Sequence, residues 1–107
     1  MLRQKQFEVN AKETKVALLR RMIRDFDNVI GQLERQIAAE EERTRIKDAQ
    51  RPAYSMFAKA AAKRRQNLLV SVAHTRSMLD VAKRELNEVT ANLHDLEQFH
   101  DNQLSAA

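Results

Sequence analysis

The chain has 107 residues, 32% of them charged and only 5% aromatic, with one glycine, one proline, no tryptophan and a net charge of +4. Such a composition excludes a thick globular core and offers no stretch apolar enough to span a membrane; the absence of cysteine excludes disulfides and thiol chemistry. A single all-α domain of coiled-coil composition is expected, in a reducing, cytoplasmic setting, because the opening Met1-Leu2-Arg3-Gln4-Lys5-Gln6 lacks the apolar centre of a secretory signal.

The first helix is predicted over about residues 2–47. Val16, Leu19, Ile23, Phe26, Ile30, Leu33 and Ile37 alternate spacings of three and four, a heptad seam without a skip. Backward, the register puts Leu2 and Val9 at a but Lys5 and Lys12 at d, so this end is expected to hold its partner helix more loosely. Forward of Ile37 it meets Glu40 and Thr44, where core packing should fade. Gly31 falls at b, off the seam, where it costs roughly 1 kcal/mol relative to alanine without interrupting the helix.

A bend is predicted over 48–54, because Pro52 cannot donate to a helix ladder and drives Arg51 out of the α region. Either Pro52 lies in the first helical turn that follows, or Ser55 caps a helix starting slightly later. A kink in one continuous helix would leave both apolar stripes uncovered, so the chain is expected to fold back on itself.

The second helix is predicted over about 55–104. Leu68, Val72, Thr75, Leu79, Ala82, Leu86, Val89, Leu93 and Leu96 repeat the same period, with Ala58 and Ala61 upstream and the polar His100 and Gln103 downstream. The predicted architecture is an antiparallel two-helix coiled-coil hairpin, about 70 Å long at ~1.5 Å per residue. Folding at the bend pairs residues whose numbers total about 100 to 103, which places Lys15 by Glu85, Asp27 by Arg76, Met22 by Met78 and, less favourably, Arg20 by Lys83. Charge supports that direction. Residues 1–24 hold seven basic and two acidic side chains, whereas 80–107 hold two basic and six acidic ones.

From Arg43 to Arg65 there are eight basic residues against a lone Asp48. This basic bend also carries Tyr54, Met56 and Phe57. Two readings are open: the aromatics fold back as a hydrophobic plug, or they form a contact site with the cations. The candidate partner-binding residues at the bend are Arg51, Tyr54, Met56, Phe57, Lys59, Lys63, Arg64 and Arg65; at the chain ends they are Lys5, Lys12, His100 and Gln103, polar side chains at core positions suited to being held by a partner. No catalytic or metal-binding pattern is present. His74, His94 and His100 lack a ligand spacing, and Glu40-Glu41-Glu42 reads as a solvated face. No enzyme activity, cofactor, metal or small-molecule substrate is expected.

The run Glu40-Glu41-Glu42-Arg43-Thr44-Arg45-Ile46-Lys47-Asp48, followed by Tyr54-Ser55-Met56-Phe57-Ala58-Lys59-Ala60-Ala61-Ala62-Lys63-Arg64-Arg65-Gln66-Asn67-Leu68, resembles the bend of the short FliJ-type flagellar export proteins of alphaproteobacteria; the Phe7-Glu8-Val9-Asn10 region is similar too. The resemblance implies a small part of the flagellar type III export apparatus. Such a protein forms an antiparallel coiled coil similar to a rotary-ATPase stalk, with its ends entering the hexameric export ATPase and its body reaching the cytoplasmic domain of the membrane export gate. It also implies export chaperones as further partners and a cytoplasmic place at the flagellar base, peripheral to the inner membrane through partners only. Arg45 stands where the family pattern has glycine, which implies a more helical bend here. The alternatives are a nucleic-acid-binding arm using the basic bend, disfavoured by the acidic C-terminal half, and a plain coiled-coil scaffold.

Overall fold

The computed structural model describes residues 1–106. Two helices, α1 (Leu2–Thr44) and α2 (Met56–Ala106), are joined by a bend over residues 45–55 and form an antiparallel two-helix coiled-coil hairpin, with no strand among the described residues. Their contacts divide into two compact units, one combining Met1–Arg21 with the chain from Arg76 onward, the other spanning Met22–Thr75. α1 ends before the expected residue 47, while α2 begins almost where it was expected.

In the first unit the buried side chains are the seam residues, Val9, Val16 and Leu19 on α1 and Ala82, Val89 and Leu93 on α2. Apolar layers alternate with lysines at this end, as the register sets out. Val9, Val89 and Leu93 form a cluster against which Leu2 and Leu86 pack, so apolar layers persist where lysines share the seam. Lys12 does not interrupt them, because its stem lies along the seam and its ammonium donates to Glu85 Oε2 at 2.6 Å. The expected pairing of Glu85 with Lys15 is likewise revised: Lys15 acts on Glu85 only through its field, from the flank. A cation on the half-buried seam has fewer water contacts than one on the open flank, and so gains more from the carboxylate.

The second unit buries Ile23, Ile30 and Leu33 on α1 and Ala58, Ala61, Val72 and Thr75 on α2. Phe26 is half-buried. Thr75 sits in the seam at no cost in unsatisfied groups, since its hydroxyl donates to the Ser71 carbonyl at 2.8 Å. A Cβ on Gly31 would meet only the Arg35 guanidinium at 3.5 Å, an ordinary contact, so packing does not require glycine there.

Arg45 does not carry the helix on into the bend, contrary to the expectation of a more helical bend. That residue adopts φ 63°, the left-handed conformation that terminates helices, and its N–H donates to the Glu41 carbonyl at 2.8 Å. Thr44 reinforces the stop: its hydroxyl donates to the Glu40 carbonyl at 3.1 Å and accepts from the Ile46 N–H at 3.3 Å. The chain then turns twice. Asp48 accepts from the Gln50 N–H through its carboxylate and from the Arg51 N–H through its carbonyl, and Pro52 follows Arg51 in a turn closed by the Tyr54 N–H on the Arg51 carbonyl. Pro52 therefore lies outside the helix, and Ser55 caps α2 by accepting the Ala58 N–H at 3.2 Å.

Left-handed backbone costs a residue with a Cβ about 1–2 kcal/mol, of which the greater freedom of unfolded glycine would return about 0.4–1. Arg45→Gly is therefore expected to stabilise the protein by about 0.5–1 kcal/mol in denaturant unfolding. A loss of stability would place the left-handed residue elsewhere.

Candidate functional site

The bend region of the second unit is built on hydrogen bonds between the end of α1 and the start of α2. Tyr54 is buried and donates its hydroxyl to Glu41 Oε2 at 2.8 Å; Ser55 donates to Glu40 Oε1 at 2.7 Å. Arg43 donates to both Glu40 oxygens, at 2.6 and 3.1 Å. The hydrogen bond to Glu41, burial and the carboxylate charge together raise the Tyr54 pKa. Reading Glu40-Glu41-Glu42 as a solvated face is thus corrected: Glu40 and Glu41 are half-buried and tie the two helices at the point where the apolar seam gives out. The signal was in the register, which places Glu40 on the seam.

Of the two readings of the aromatics, each holds for different residues. Tyr54 is the plug, held inside by Glu41, and its side chain is spent on the fold. Met56 and Phe57 remain 76% and 58% exposed. Lys59, Lys63 and Arg64 on the first turns of α2 are exposed as well, and Arg51 is exposed in the turn. Arg65, by contrast, is half-buried on the seam and donates to Glu34 at 3.1 Å. A shallow groove of about 190 Å³ runs between Leu33, Gln36, Phe57, Ala60, Ala61 and Arg64.

Glu40 gives this cluster a pH dependence. Hydrogen bonds from Arg43 and then Ser55 pull its pKa down from 4.5 to about 2. A carboxyl depressed in the folded state contributes stability that is complete above its unfolded pKa and lost as pH falls through the folded one. Unfolding midpoints are therefore expected to drop between about pH 4.5 and pH 2, and Glu40→Gln should flatten that slope. Tyr54 is the sole tyrosine in a chain without tryptophan, so its fluorescence reports the bend directly. An unchanged acid slope in Glu40→Gln would assign the effect to other carboxylates.

At the chain ends, in the first unit, the predicted residues fall into two groups. Lys5 donates to Glu8 at 3.2 Å within α1, and Lys12 to Glu85, so both are engaged inside the fold. The hydrogen bond from Lys12 and its charge lower the Glu85 pKa, while Glu85 raises that of Lys12. His100 and Gln103 are exposed on the last turns of α2. The heptad reading passed over the apolar side chains beside them. Phe7 is 76% exposed and Phe99 63%, with Leu104 also out in solvent, and Leu2, Phe7, Leu93 and Glu97 help to line an open groove of about 510 Å³. Phe7 and Phe99 lie off the seam, and an aromatic off the seam was the available clue.

Among the described residues there is no group of three or more His, Asp or Glu side chains placed to hold a metal ion, and no helix long and apolar enough to cross a membrane. No family model, no curated protein and no solved structure matches the chain.

Proposed function

We propose that the protein is a non-enzymatic stalk or adaptor of the flagellar type III export apparatus, coupling the export ATPase to the cytoplasmic domain of the export gate. In this reading it acts in the cytoplasm at the flagellar base, and export chaperones are further partners. The observation that carries it is a division of labour among side chains. The fold uses Lys5, Lys12, Tyr54 and Arg65 internally and leaves an exposed set with aromatics in each unit: Phe7, Phe99 and Leu104 beside His100 and Gln103 in the first, Met56 and Phe57 beside Arg51 and Arg64 in the second. Exposed aromatics are enriched in protein contact sites, and two such sets, only the second of them flanked by cations, suit a protein that joins two partners. The FliJ-type resemblance at the bend supplies the identity of those partners.

Phe7→Ser with Phe99→Ser should weaken capture by the hexameric ATPase, whereas Arg51→Gln with Phe57→Ser should weaken capture by the gate domain, each leaving the other contact and the helix content by circular dichroism unchanged. Wild-type protein that binds neither partner, yet retards RNA or DNA at physiological salt, would replace this reading with the nucleic-acid one.

A further inference from the structure

The second unit contains an accounting of charge that its fold does not need. Residues 34–65 hold nine basic and five acidic side chains. Every one of the five carboxylates is engaged: Glu34 with Arg65, Glu40 with Arg43 and Ser55, Glu41 with Tyr54, Glu42 with Arg45, and Asp48 with the Gln50 N–H. Arg35, Lys47, Arg51, Lys59, Lys63 and Arg64 are all exposed and take part in no ion pair among the described residues. Six cations thus stand without an ion-pair partner among the described residues, and three of them, Lys59, Lys63 and Arg64, follow Met56 and Phe57 on α2.

Their placement around Met56 and Phe57 is specific. These two adjacent apolar side chains open α2, directly after the turn, and the first turn of that helix has no acidic residue. Lys59 and Lys63 follow Met56 at i+3 and i+7, and Arg64 follows Phe57 at i+7, all three exposed, while Ala58 and Ala61 face the seam. The face therefore grades from an apolar tip to a cationic collar. A helical peptide laid in by its apolar face needs a long groove, and the groove here is shallow, about 190 Å³; a nucleic-acid strand needs successive aromatics to stack its bases, and with Tyr54 buried Phe57 is the single exposed aromatic at the bend. A bilayer surface needs no shape complementarity. It accepts a small apolar tip below the headgroups, with long basic side chains reaching back to the phosphates.

We propose that the bend face formed by Met56, Phe57, Lys59, Lys63 and Arg64 docks on anionic lipid bilayers. This contact is direct, not made through another protein, and does not depend on the export reading. Each basic residue close to an anionic surface strengthens binding roughly fivefold, and the effect fades beyond a Debye length of about 10 Å at 0.1 M salt. Binding should accordingly be reversible and salt-sensitive.

The test is co-sedimentation of the full chain with vesicles of phosphatidylglycerol and phosphatidylethanolamine, against vesicles of phosphatidylcholine alone, at about 0.1 M salt. Wild-type protein should pellet with the anionic vesicles and stay in solution with the neutral ones. Replacing Lys59, Lys63 and Arg64 together by glutamine should weaken pelleting at least about tenfold. Met56→Ser with Phe57→Ser should weaken it several-fold, and both variants should retain wild-type helix content. No pelleting by wild type, or equal pelleting with both vesicle types, overturns the proposal. So does full pelleting by the Met56/Phe57 variant, or tighter capture by RNA or an acidic helical peptide than by the anionic vesicles, since either would make the face a general polyanion or protein site.

Discussion

Replacing Leu19 with alanine is expected to destabilise the protein by about 2–5 kcal/mol, whereas the same change at its neighbour Leu18 should stay within about 0.5. Leu19 is 6% exposed on the seam and Leu18 54% exposed beside it. Truncating Leu19 removes buried methyl groups from a two-helix layer and leaves a gap. Part of that gap can close, because a hairpin has no third element to hold the helices apart, which favours the lower half of the range. Against a total stability of about 5–15 kcal/mol the loss remains large. Chemical denaturation followed by circular dichroism measures both variants, and equal effects at the two positions would show that the heptad register is displaced.

Enlarging Ala58 to leucine is expected to cost about 1–3 kcal/mol, while Ala60→Leu should be close to neutral. Ala58 is fully buried and Ala61 nearly so, and their small side chains set the approach of the helices just beyond the bend. A leucine at 58 has to displace the opposing seam or leave its preferred rotamer. The same displacement strains the Tyr54–Glu41 and Ser55–Glu40 bonds, which leave little slack at 2.8 and 2.7 Å. Tyr54 fluorescence should therefore change in Ala58→Leu and not in Ala60→Leu, whose side chain points into solvent. If Ala58→Leu were neutral in both readouts, the helices would have to be separated further than the burial of Ala58 implies.

The pattern of changes that matter is therefore read from the seam, and the seam was legible without coordinates. Strict alternation of three and four from Val16 to Ile37 and from Leu68 to Leu96 admits only one buried stripe per helix, and nearly every residue on those stripes is buried or half-buried. The site was less legible, because spacing says which side chains share a face but not which polar groups find each other. Lys12, Tyr54 and Arg65 carry the residue types of a binding surface, yet each meets an internal carboxylate.

By itself, then, the sequence determined the helix period, the place of the bend and the antiparallel direction, since apolar periodicity, Pro52 and the opposite charges of the two ends act through local geometry and gross electrostatics. Only the tertiary structure decided where α1 stops, because a left-handed Arg45 is stabilised by its N–H on the Glu41 carbonyl and by Thr44, against its own propensity. It also decided which charges are spent and which are left over. Glu40 and Glu41 become structural when folding brings Tyr54 and Ser55 within hydrogen-bond distance, and Lys59, Lys63 and Arg64 stay exposed off the seam with no ion pair among the described residues. Such pairings join residues on different helices, and their geometry exists only once the chain has closed on itself.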